Sequence, residues 1–293
     1  MTHTTALASN LEFRICRSMD AGMASERTSH RAFVGISVSL FATSAALTIV
    51  WCASMSAMRG MPMPGGWTMS MMWMRMPGQT WSGAAASFVG MWVVMMVAMM
   101  LPSFVPILWR YRQAVFRTKE TRLGPLTALV GLGYFFVWTL VGLALFPLGV
   151  ALAAFEMELP ALARAVPVTV AVVVLIAGAL QFTSWKAHHL ACCREAPGRG
   201  CTLPAGAGTA WRQGMRFGLH CGLSCANLTA LLLVAGVMDL RAMTVVTAAI
   251  TAERLAPRGE RVARAIGAIV VGAGLFLIAR AVASAPLGGL LAQ

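Results

Sequence analysis

The sequence predicts an all-α, polytopic helical membrane protein with about seven transmembrane helices and a cytoplasmic N-terminus. Three observations predict it. Hydrophobic residues fill 58% of the 293 positions and charged residues only 11%, where a soluble domain carries about 25% charged residues. Uncharged apolar runs recur at the length that crosses a bilayer, about 20 residues. The segments between those runs alternate between many and few basic residues. A composition this apolar, with a mean hydropathy of +0.74, also excludes a disordered chain.

A polar, Ser/Thr-rich tail, residues 1–31, opens the chain and is expected to be disordered. A transmembrane helical domain follows over 32–284, and 285–293 form a short C-terminal tail. The first apolar stretch, Ala32–Ser54, comes too late and runs too long for the h-region of a cleaved signal peptide, about 7–15 residues. The second is Ala84–Trp109. The third, Leu123–Phe155, carries Pro147, where a bend or break is expected. The fourth, Ala165–Trp185, is rich in Val, and the fifth is Phe217–Met238. The sixth, Ala242–Ala256, is short and ends in Glu253 and Arg254; a re-entrant course there would change the side of the C-terminus. The seventh is Ala265–Ser284.

Charge orients these spans. With the N-terminus inside, only Arg59, Arg75, Arg164, Arg241 and Arg280 of the 23 Lys and Arg residues fall in outer segments. Cytoplasmic loops of membrane proteins collect basic residues. The net charge of +13 therefore reads as topology and not as a nucleic-acid footprint. The expected location is a cell membrane, crossed several times.

Methionine is the strongest compositional anomaly. Fourteen of the 21 methionines fall between Met55 and Met100. Part of them lie in an outer loop, 55–83, broken by Pro62, Pro64, Gly65 and Gly66. The rest lie in the second span. There Met91, Met95 and Met99 repeat every four residues and share a helical face, and Met96 and Met100 make a second row beside it. Thioether sulfur is a soft ligand suited to Cu(I). It is also a good packer of irregular cores, so the stripe reads as either a ligand path or packing. The loop reads as either metal capture or a segment lying on the membrane, anchored by Trp67, Trp73 and Trp81. Just below the stripe, Pro102 and Pro106 free two helical carbonyls. That implies either a simple kink or a cavity that satisfies them.

Two groups of Cys and His flank the inner face. His188, His189, Cys192 and Cys193 follow the fourth span, and in a helix His188 would share a face with Cys192, and His189 with Cys193. His220, Cys221 and Cys225 open the fifth span, with the two thiols one turn apart. Cys with His is a ligand set for copper or zinc. The alternatives are small-residue helix packing for Cys221 and Cys225 and a redox pair for Cys192 and Cys193, although cytoplasmic thiols normally stay reduced. Cys16, Cys52 and Cys201 have no evident partner. Asp239 and Glu253 are expected to pair with Arg241 or Arg254. No GxxxxGK[ST], GxSxG or HExxH motif occurs, so no reaction class is predicted.

Three stretches together resemble an uncharacterised bacterial family of predicted metal-binding integral membrane proteins. They are the run Trp92–Ser103, then Gln181-Phe182-Thr183 with Lys186, Cys192 and Arg194, and then Gly218 through Cys221 and Cys225 to Gly236-Val237-Met238, with Met243 and Glu253 downstream. The resemblance covers about residues 84–280 and leaves out the tail and most of the Met-rich loop. Where that family carries a denser Cys-Gly-Cys-Cys-Trp-like core, this chain reads Cys221-Gly222-Leu223-Ser224-Cys225-Ala226-Asn227, and His220 stands nearest to replace the missing thiol.

The expectation is an integral membrane protein that binds a soft metal, Cu(I) before zinc, through Met91, Met95, Met96, Met99, Met100, His188, His189, Cys192, Cys193, His220, Cys221 and Cys225. Its partners would be the lipid bilayer, the metal ion and a protein that receives the metal. Two other classes compete: a membrane oxidoreductase with a redox centre held by Cys and His, and a non-catalytic assembly subunit.

Overall fold

A computed structural model describes residues 2–57, 60–63, 67–75, 78–116, 122–194 and 206–284. Met58, Met76, Cys201 and the tail 285–293 lie outside them. The chain is built from eight helices and one small hairpin among the described residues. Helix α1 is Thr2–Ala57, taking in the polar tail as well as the first apolar run. Strands β1 (Met61–Met63) and β2 (Trp67–Met69) pair antiparallel, with Met61 opposite Met69 and Met63 opposite Trp67. Then come α2 (Trp81–Phe116), α3 (Leu123–Glu158), α4 (Pro160–Leu180), α5 (Ser184–Arg194), α6 (Ala207–Ala235), α7 (Leu240–Leu255) and α8 (Gly259–Ser284). The chain divides into two units, Met1–Thr43 and Ser44–Gln293, and every residue of the candidate site described below belongs to the second.

Six of the helices are long and apolar enough to cross a membrane: α1 over Thr28–Met55, α2, α3, α4, α6, and α8 over Gly259–Ala281. The sequence count was one higher. The difference is α7, whose 16 residues fall short and end in two buried charged side chains, Glu253 and Arg254. The third span is one continuous helix through Pro147, so the break expected as one alternative there does not occur, and α2 likewise runs unbroken through Pro102 and Pro106. The fourth span stops at Leu180 and not at Trp185.

Thr183 explains that stop. Its hydroxyl donates to the Leu180 carbonyl at 2.7 Å and accepts from the Lys186 amide at 3.3 Å, closing α4 and capping α5 with one side chain. A second joint lies between α6 and α7. Gly236 takes a φ of +112°, open to glycine but rarely to other residues, and ends α6. Asp239 then caps α7 by accepting from the amides of Arg241 and Ala242 at 2.7 and 3.2 Å. Asp239 thus spends its carboxylate on a helix end and not on the expected ion pair.

Helix α2 is the centre of the second unit. About two-thirds of its apolar window is buried (67%), against 11% for α3 and 17% for α8. Helix α6 approaches α3 through Gly214 and Gly218: a Cβ on Gly214 would strike the Val130 carbonyl, and one on Gly218 would come within 2.8 Å of the Tyr134 carbonyl. Small residues four apart are how membrane helices bring their backbones together. This close pass sets Tyr134 of α3 against Cys221 of α6 and so shapes the site below.

Candidate functional site

The stripe of methionines is turned inward. Met91, Met95, Met96, Met99 and Met100 are all buried, Met96 and Met100 completely. Its lower end meets thiols: Cys221 Sγ lies 3.9 Å from Met100 Sδ. Cys221 and Cys225 lie one helical turn apart on α6, and both are buried. Tyr134 Oη shares a 2.8 Å hydrogen bond with Cys221 Sγ, and its ring is held by a stack on Phe104 with centroids 4.0 Å apart. Three sulfurs from two helices are therefore gathered in the buried core.

A cation sits against them. Arg254, 5% exposed, donates to Ser103 Oγ at 3.2 Å, Cys225 Sγ at 3.3 Å, Ser224 Oγ at 3.4 Å and Cys193 Sγ at 3.9 Å. A guanidinium presents five donors in a planar fork and stays charged in proteins, so one side chain orients two thiols and two hydroxyls. Cys193 also lies 3.5 Å from Ser224 Oγ. Burial pushes the Cys193 thiol up, and Arg254 and the Ser224 hydroxyl pull against that.

Beneath this group lies a buried ion pair. Lys186 Nζ is 2.8 Å from Glu253 Oε2, and Gln181 Nε2 donates to Glu253 Oε1 at 2.8 Å. Lys186 also donates to the Ser224 carbonyl and, at 3.5 Å, to Asn227 Oδ1. Asn227 in turn donates to the Ala177 carbonyl at 3.1 Å. Glu253 thus pairs with Lys186 and not with Arg254 or Arg241. Lys186 and Arg254 were counted as loop charges, but both are core residues. Removing one member of such a buried pair is costly because the other is left charged and dry.

A second, more open group faces outward from the same helices. His188 Nε2 and Cys192 Sγ lie 3.7 Å apart, one turn apart on α5 as the spacing predicts. His189 Nδ1 is 3.4 Å from His220 Nδ1, and the His188 and His189 rings are 5.4 Å apart. Burial, with His220 and His188 close by, pulls His189 below the usual histidine range. Neutral imidazole is the form that binds metal. The expected pairing of His189 with Cys193 does not form: one faces His220, the other turns in toward Arg254. Arg194 fixes the end of α5 by donating to the carbonyls of Ala256 at 2.5 Å and Pro257 at 3.3 Å.

In the Met-rich segment 55–83, the described residues 61–63 and 67–69 pair as the hairpin. Met63, Met69 and Met72 are buried, Met63 and Met69 against Ala153 and Ala163 beside Trp67 and Trp73. Trp67 Nε1 donates to the Ala163 carbonyl at 2.9 Å. Met61, by contrast, is 36% exposed.

Among the described residues no group of three or more His, Cys, Asp or Glu side chains is arranged to hold a metal ion. Two thiols and a thioether suit a soft cation.

A family model described as copper chaperone (PpoB2) matches residues 89–277. The chain belongs to this copper chaperone family. No curated protein and no solved structure matches it. In this copper chaperone family member the matched segment begins just before Met91 and ends within α8, so it holds both Cys/His groups and the whole stripe, and leaves out the hairpin. Sequence reasoning missed Tyr134, Ser103, Ser224 and the central position of Arg254. One signal was available for Arg254: an Arg beside a Glu within an apolar run is a functional position by default.

Proposed function

We propose that the chain is a multi-pass protein of a bacterial inner membrane that holds Cu(I) as cargo on Cys221, Cys225 and Met100 and hands it to a protein partner through the imidazole group of His188, His189 and His220. The observation that carries the reading is that two thiols one helical turn apart and a thioether 3.9 Å from the first are all buried together. Cargo must be held tightly but exchanged by ligand substitution. A buried soft site beside the more open imidazoles and Cys192 offers such a graded exit. The buried methionines above Met100 recur in steps of about 6 Å along the helix and form the approach from the hairpin end.

The six apolar helices support the membrane setting. With α7 not counted as a crossing, Arg258, Arg261 and Arg264 change side and the buried Lys186 and Arg254 leave the tally, yet most cations still fall in the segments assigned to the cytoplasm, which supports an inside N-terminus. The test is Cu(I) titration of the purified full chain with X-ray absorption. Sulfur-only coordination, lost in Cys221→Ser/Cys225→Ser, is the expected result. Nitrogen or oxygen coordination, or binding unchanged in that double variant, defeats the reading.

A further inference from the structure

We infer that Arg254 is the counter-charge that makes this site selective for a monovalent cation. The inference rests on the copper reading above and extends it to ion selectivity. A soft ion held between Cys221 and Cys225 faces two thiolates, and Met100 adds a neutral donor. Loaded with Cu(I), the three-sulfur complex carries a net charge of minus one. Loaded with Zn(II), it is neutral. A net charge buried away from water is heavily penalised unless it is compensated.

The surroundings supply one uncompensated positive charge. Lys186 is neutralised by Glu253 at 2.8 Å, so that pair adds little net field. Among the described residues Arg254 has no carboxylate partner: its donors go to Ser103, Ser224, Cys193 and Cys225. It lies 3.3 Å from one of the two thiols that would hold the ion. A fixed guanidinium there offsets the anionic Cu(I) complex. It gives nothing to the neutral Zn(II) complex, which would leave the guanidinium itself as the buried net charge. Arg254 therefore acts as a positioning and charge-compensating residue, and the metal touches only sulfur.

Two substitutions test this in the full-length protein in lipid nanodiscs, with Cu(I) and Ag(I) as monovalent probes and Zn(II) as the divalent one. Arg254→Gln removes the charge. Ser103→Asp keeps the arginine and places a carboxylate beside it, so it carries the test if the first variant fails to fold. Each is expected to weaken Cu(I) and Ag(I) binding by about tenfold or more, a single nearby charge at intermediate dielectric being worth at least that. Zn(II) binding should stay within about threefold in both, and Arg254→Lys should restore the monovalent preference. A parallel fall for all three ions marks a merely structural role and overturns the inference. So does unchanged Cu(I) binding in Ser103→Asp. Absence of any Cu(I) or Ag(I) binding by the unaltered chain would sink the copper reading as well.

Discussion

The hairpin and the middle of α2 are both rich in methionine, yet their neighbours give the sulfurs different work. In the hairpin, Met63 and Met69 lie against Ala153, Ala163 and two tryptophans. In α2, Met100 lies 3.9 Å from the Cys221 thiol, with the Cys225 thiol one helical turn further along α6. A thioether is a weak donor with a flexible stem. Set among alanines and indoles it fills space; set beside thiols it adds a ligand. Counting methionines therefore finds regions of interest without telling packing from coordination.

Substitutions can break or sharpen that contrast. Cys221→Ser with Cys225→Ser should abolish stoichiometric Cu(I) binding, measured by competition with a chromophoric Cu(I) chelator, while circular dichroism keeps its helical signal. Glu253→Leu strands Lys186 as an unpaired buried charge and should cost about 3–5 kcal/mol in denaturant unfolding; the hairpin has no such ionic support among the described residues. Met100→Leu preserves volume, so stability should fall by less than about 1.5 kcal/mol. Its Cu(I) affinity should drop about tenfold, the equivalent of about 1.4 kcal/mol for one lost soft ligand. The smallest effect is expected for Met63→Leu with Met69→Leu, which should leave Cu(I) affinity unaltered. Loss of copper affinity in that last variant would erase the distinction between the two regions.

Much of the architecture was legible because the bilayer imposes a length rule. Six of the apolar runs became long helices near their expected places. Boundaries were less legible: α6 begins at Ala207, ten residues before Phe217, because the amphipathic turns around Arg212 and Arg216 extend the helix beyond its apolar part. The sulfur and imidazole residues were visible from type and spacing. Their grouping was not, since spacing along α5 says nothing about which face meets α6. Lys186 and Arg254 were misjudged for a related reason. A charge tally treats every cation as solvated, and only tertiary contact shows that one pairs with Glu253 and the other with thiols. Tyr134 had a faint signal: the chain has only two tyrosines, and both are buried.

The single hydroxyl of Thr183 has a mechanical consequence. It seals one helix and starts the next, so it sets the rotational phase of α5, which presents Lys186, His188, His189, Cys192 and Cys193 in different directions. Each residue along a helix turns by about 100°. Slipping that joint by one position would swing all five side chains together, moving the ammonium off its carboxylate and the imidazoles off the rim. The connector between α4 and α5 thus behaves as a keyed coupling, whose length is as constrained as the chemistry it aims.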